Sequence, residues 1–188
     1  MKMSSKASIL AAIKGLNMKE KPLPEIPDFV VPHDLLATYT HSLNTNKGTV
    51  VSKEELEQLI TETAFPKIYS SSPTFDRFTN CQLPQHPADF ADLDLAIIEG
   101  QFASAENAAI WVDESNLDLR AIPFITAHLV IVIRKENIVG NMHEAYERIG
   151  LTKSGFGVFI AGPSKTADIE QSLVIGAHGA MSLRVVIL

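Results

Sequence analysis

The sequence holds 188 residues, 46% hydrophobic and 20% charged, with a formal net charge of −6. That length and apolar content suit one folded domain with its own core and argue against a disordered chain. The acidic balance, with 16 scattered Lys and Arg, argues against a duplex-binding surface, which needs clustered cations, but leaves room for a small anion held locally.

Cys81 is the only cysteine. An intrachain disulfide and a four-thiolate iron–sulfur cluster are therefore excluded, and Cys-rich zinc spacing is missing. Met1–Lys21 lacks the apolar stretch and small-residue cleavage site of a secretory leader, and apolar runs such as Leu129–Ile133 are far short of the ~20 residues of a membrane span. The expectation is a soluble protein of the cytoplasm.

In chain order, a short amphipathic helix with Ile9, Leu10 and Ile13 on one side comes first. Pro22, Pro24, Pro27 and Pro32 then fix an extended arm, so residues 1–32 form a helix and Pro-rich arm and residues 33–188 the body. His33–Asn44 has helical spacing, with Leu35, Leu36, Tyr39 and Leu43 on one face, and Gly48–Val51 reads as a strand. Ser52 with Glu55 three residues on is a capping box, which starts a helix over Lys53–Thr63 ended by Pro66. Lys67–Ser70 is a strand, and the stretch to Pro87 is irregular.

Leu93–Glu99, Ala108–Val112 and His128–Ile133 follow as strands, the last apolar enough to be buried on both faces of a parallel sheet. Two strand signals within Ala108–Ile133 without a strong helix between them suggest an antiparallel excursion. Asn141–Ile149 reads as a helix, Gly157–Ala161 as a strand, Thr166–Ala177 as a helix and Leu183–Leu188 as a strand. Alternating strands and helices predict a layered α/β fold around a mostly parallel sheet flanked by helices.

The segment richest in chemistry runs from Val158 to Glu170. An apolar strand enters a turn at Gly162-Pro163, and Ser164, Lys165 and Thr166 open the predicted helix. Free N–H groups at a helix N-terminus, two hydroxyls and a cation make a cradle for phosphate or carboxylate. The alternative is plain helix capping, with Asp168 and Glu170 complementing the dipole and opposing an anion. His178 is expected to close that helix on its last carbonyls. Glu106, in the loop after Gly100, is the candidate acid/base or nucleophile, or else a solvated loop carboxylate. The six histidines form no His-x-x-x-His or His-x-His pair, so no metal site is assigned, and His128 reads as a satisfied core group.

Residues 162–171, Gly-Pro-Ser-Lys-Thr-Ala-Asp-Ile-Glu-Gln, followed by Gly176-x-His178-Gly179, resemble the C-terminal signature of the LUD-domain family. Ala91–Ile110, with Gly-x-Phe-Ala-x-Ala-Glu, resembles its earlier block, and Arg120, Pro123 and His128 fall where its next block is expected. The resemblance spans roughly residues 45–188. Two positions depart from the pattern: Asn107-Ala108 stands for Thr-Gly, and Ala180 for Pro.

The resemblance implies a NagB/RpiA/CoA-transferase-like, Rossmann-type arrangement. It also implies a non-redox component of a bacterial system oxidising L-lactate to pyruvate. That component would carry no cofactor itself and would work beside Cys-rich partners holding iron–sulfur clusters. The candidate ligand-binding residues, read from the turn segment itself, are Gly162, Ser164, Lys165, Thr166, Asp168 and His178. The alternatives are a free-standing CoA-transferase-like or isomerase-like enzyme using Glu106, and a degenerate interaction module.

Overall fold

The computed structural model describes residues 4–16, 21–150, 155–167 and 172–188. It divides into two compact units, Met1–Val30 and Val31–Leu188. In the first, Ser4 accepts from the Ala7 amide to start helix α1 (Ser5–Lys14), none of whose residues is buried.

The second unit runs α2 (Leu35–Thr45), β1 (Thr49–Val51), α3 (Lys53–Thr63), β2 (Ile68–Ser70), β3 (Leu95–Glu99), β4 (Phe102–Ser104) and β5 (Ile110–Asp113). It continues with α4 (Ile122–Ile125), β6 (His128–Ile133), β7 (Ile138–Val139), α5 (Met142–Ile149), β8 (Gly157–Ile160), β9 (Lys165–Thr166), β10 (Val174–Ile175) and β11 (Ser182–Ile187). Among the described residues no helix is long and apolar enough to cross a membrane.

Five strands form a parallel sheet in the order β1-β11-β6-β3-β2. Each central strand is apolar on both faces because both are covered. On one side Leu95, Ile97, Val130, Val132 and Val186 pack with Leu56 and Ile60 of α3. The Ser52–Glu55 capping box starts that helix as expected. On the other side Ala96, Ile98, Leu129, Ile131, Leu183 and Val185 meet Tyr39 and Leu43 of α2 and the inner face of a second sheet.

That second sheet has the order β7-β4-β5-β8. Its strand β5 is antiparallel to β4 and β8, which lie outside the Ala108–Ile133 stretch where the sequence suggests an excursion, while β7 is parallel to β4. The other strand of that stretch, β6, belongs to the parallel sheet. Strand β4 escaped sequence reading because it is short and starts just beyond Gly100. The second sheet turns Phe102, Trp111 and Phe159 outward, where α5 covers them: Tyr146 meets the Phe159 ring at 5.8 Å and Arg148 lies 5.4 Å over Phe102.

Two expectations need correction. The strand Gly157–Ile160 belongs to the second sheet, antiparallel to β5, and does not end at the carboxyl edge of the parallel sheet. The helix expected over Thr166–Ala177 is not formed by its described residues. Lys165 and Thr166 instead pair with Ile175 and Val174 in a two-stranded hairpin. Gly176 sits at φ +81°, its amide bound to the Ser164 carbonyl, and the Ser164 amide is bound to the Ala180 carbonyl. Those long-range bonds claim the backbone groups that a helix would have used. Asp168 lies outside the described residues.

Candidate functional site

Sequence reading selected two segments, around Glu106 and around Gly162, and the carboxyl end of α2 joins them. The Asn46 side-chain amide donates to the Asn107 carbonyl at 2.9 Å, and the Ser42 hydroxyl donates to the Glu106 carbonyl at 3.2 Å. From the other side the Lys165 ammonium donates to the Asn46 carbonyl at 2.8 Å and to the Ala161 carbonyl at 3.3 Å. Gly162 stands at φ +82°, and a Cβ there would lie 2.2 Å from the Asn46 carbonyl oxygen. The turn therefore requires glycine twice, for its left-handed backbone and for the close approach. Burial, and secondarily the Lys47 charge, lower the Lys165 pKa.

Gly162, Ser164, Lys165 and His178 line one crevice of about 320 Å³ together with Pro123, Phe124 and Leu129. It opens at the amino ends of β6 and β11, since Leu129 is the second residue of the one and Ala180 precedes the other. The crevice differs from the expected cradle in three ways. Among the described residues no helix starts at the Gly162 turn. The Lys165 ammonium is already held by two carbonyls. His178 lies exposed in a turn rather than capping a helix. The Ser164 hydroxyl makes no hydrogen bond among the described residues and remains a donor. Thr166 lies in the hairpin and not in the crevice wall.

Glu106 is exposed, and its carboxylate accepts from the amide of Met142, the first residue of α5, at 3.2 Å. It complements a helix start, beside Asn141, whose side chain accepts from the Glu144 amide. Glu106 does not line the Gly162 crevice, so that crevice contains no carboxylate nucleophile among the described residues. The two departures around it have a local logic. Ala108 is buried at φ +56°, a backbone suited to glycine, and the Asn107 side chain accepts from the Ala109 amide to hold the turn.

His128 is paired, as read from sequence. Its Nδ1 lies 2.8 Å from the Ser182 hydroxyl, which also accepts from Arg184 at 3.0 Å. The Ser182 hydroxyl thus bridges the imidazole and the guanidinium. Burial and then the Arg184 charge lower its pKa, against a smaller opposing effect of Asp94.

A second cleft, which sequence reading missed, opens at the opposite end of the sheet. Glu99, Gln101, Asn116, Arg134 and Thr74 line about 380 Å³ beyond the carboxyl ends of β3 and β6. The signal lay in charged residues that directly close apolar runs, Glu99 after Leu95–Ile98 and Arg134 after Leu129–Ile133. Among the described residues no group of three or more His, Cys, Asp or Glu is placed to hold a metal ion.

The family model described as the LUD domain matches residues 85–188. A protein of Geobacillus kaustophilus (strain HTA426) named "Lactate utilization protein C" is 37% identical over 84 residues, 41% of this chain and 35% of that one. Its namesake in Shouchella clausii (strain KSM-K16) is 33% identical over 93 residues, 47% and 41% of the two chains. The chain thus spans less than half the length of these curated relatives. The crystal structure of a DUF162 family protein from Deinococcus radiodurans covers 81% of this chain and 95% of its own, with a TM-score of 0.54 at 18% identity, a likeness of fold.

Proposed function

The chain belongs to the LUD domain family, and on that premise we propose that it is a non-redox component of a system that oxidises L-lactate to pyruvate beside Cys-rich and iron–sulfur partner proteins. The observation that carries this reading is the shared name of the curated relatives, "Lactate utilization protein C". The chemistry of Cys81 agrees with it. Lactate oxidation releases two electrons, and a lone thiol that donates to the Ile68 carbonyl and whose pKa is raised by burial is poorly suited to receive them. In this reading the electron acceptor resides on a partner protein, and this chain binds, positions or organises.

A small anion in the Gly162 crevice would be held by the Ser164 hydroxyl and by His178, with Lys165 at its edge. This is a weaker cradle than a helix start, and it suits a ligand bound at millimolar concentration.

The test is a tagged pull-down from lactate-grown cells with iron analysis of the eluate. Iron–sulfur proteins should copurify in stoichiometric amount, and loss of the gene should abolish growth on L-lactate. Recovery of the chain alone, together with unimpaired growth of the deletion strain, would refute the reading.

A further inference from the structure

We infer that the cleft beyond the carboxyl ends of β3 and β6 binds a small carboxylate carrying a hydrogen-bond donor on the adjacent carbon, anchored by Arg134 and read by Glu99. In open parallel sheets ligands bind beyond the carboxyl ends of the strands, and the cleft lies there, at about 380 Å³ the size for a small metabolite. The Gly162 crevice lies at the amino ends, so the two are separate sites.

Glu99 is prepared for a ligand rather than for the fold. The hydroxyl of Ser72, which is fully buried, donates to Glu99 Oε1 at 2.8 Å. Ser72 is itself fixed, since its amide donates to the Ser70 hydroxyl and the neighbouring Ser71 amide donates to the Ile97 carbonyl. The carboxylate is thus oriented by one oxygen, while Oε2 has no partner among the described residues. An ionised carboxylate only accepts hydrogen bonds, so whatever meets Oε2 must donate.

Arg134 follows β6 on the neighbouring strand and lines the same cleft; its carbonyl accepts from the Asn137 amide, while its guanidinium makes no ion pair or hydrogen bond among the described residues. A free guanidinium presents a planar fork that matches a carboxylate with two parallel bonds. Two amide side chains of the cleft are engaged elsewhere: Gln101 donates to the Ser115 hydroxyl at 2.7 Å, and the Asn137 side chain accepts from Arg148. A ligand that satisfies both unpartnered groups carries both an anion and a hydrogen-bond donor. A 2-hydroxycarboxylate and a 2-aminocarboxylate share that chemistry; a 2-ketocarboxylate lacks the donor.

The test is a titration of the full-length protein, followed by backbone amide resonances, with L-lactate, L-alanine, pyruvate and inorganic phosphate. L-Lactate or L-alanine should shift the Gly100 and Gln101 amides saturably, and whichever binds tighter identifies the donor as hydroxyl or ammonium. Arg134→Met should weaken every carboxylate roughly tenfold or more, the loss of a charged hydrogen-bond pair, and Arg134→Lys should fall between. Glu99→Gln retains an oxygen for Ser72 and so should fold; it should bring the affinity for the donor-bearing ligand down to that for pyruvate and leave pyruvate itself unchanged. Unshifted Gly100 and Gln101 at millimolar ligand would overturn the inference, as would shifts confined to Gly162–Lys165 or a response to phosphate equal to that of L-lactate and indifferent to both substitutions. None of these outcomes bears on copurification with iron–sulfur proteins, so failure here and failure of the proposed function are separately visible.

Discussion

The carbonyl of Asn46 accepts the ammonium of Lys165 at 2.8 Å across 119 residues of sequence. This contact ties the end of α2 to the Gly162 turn and gives that lysine a structural task. Lys165→Met should therefore lower stability by about 1 kcal/mol, the value for a charge-assisted bond reduced for its exposure. Gly162→Ala should cost more, about 2 kcal/mol or above, since it adds left-handed strain to a clash with the same carbonyl. Urea unfolding of the two variants checks the order; a Gly162→Ala protein as stable as the wild type would show that the turn relaxes freely.

The His128 pair sets a pH dependence of definite sign. Its pKa in the folded protein lies below the ordinary value, so the unfolded chain takes up the proton first as pH falls. The stability associated with neutral His128 is complete above the ordinary histidine range, about pH 6.5, and is lost as pH drops through its lowered folded value. Protonation also sets an imidazolium against Arg184 through their shared Ser182. His128→Asn keeps an acceptor near the Nδ1 position without the titration, so its stability should vary less between about pH 7 and pH 5. Parallel stability–pH curves for the variant and wild type would assign the slope to other groups.

Ala64 ends α3 in the left-handed region, at φ 47°, ψ 54°, and is exposed. Glycine pays no Cβ penalty there, and no buried methyl is lost, so Ala64→Gly should raise stability by about 1 kcal/mol. The denaturation midpoint should rise with an unchanged slope. Ala108→Gly is the contrasting case. It relieves a similar strain but removes a buried methyl, and the two effects, each about 1 kcal/mol, should nearly cancel.

We expect residues 1–30 to be dispensable for folding of the remainder. Every buried hydrophobic residue among those described lies between Tyr39 and Val186. A chain beginning at Val31 should unfold cooperatively at the midpoint of the full-length protein by circular dichroism. A broad or lowered transition would show that the arm contributes to the core.

Local signals were the most legible in the sequence. The Ser52–Glu55 box, the helical stretch Asn141–Ile149 and the apolar run His128–Ile133 each specify their element through neighbours a few residues away. The stretch after Thr166 misled because its spacing of Ile169, Leu173 and Val174 suits a helix, while Ser164 takes its backbone partners from Gly176 and Ala180. The carboxyl-end cleft was illegible for a related reason. Glu99 and Arg134 become neighbours only when β3 and β6 pair, and Ser72 reaches Glu99 from the loop after a third strand. The Glu106 loop was legible as chemistry but not as geometry, since only the fold shows its carboxylate on the α5 amide.

The strand order has a temporal meaning. Among the described residues β1 pairs only with β11, so Thr49 waits for Arg184 before it has a neighbour in the sheet. During synthesis the growing sheet β2-β3-β6 can assemble strand by strand, while β1, fixed early in the chain, stays without hydrogen-bonded partners until the last strand slides in between it and β6. Until then the sheet keeps an open, apolar β6 edge, and the interval before β11 emerges is when the nascent chain is most exposed to strand exchange with another molecule.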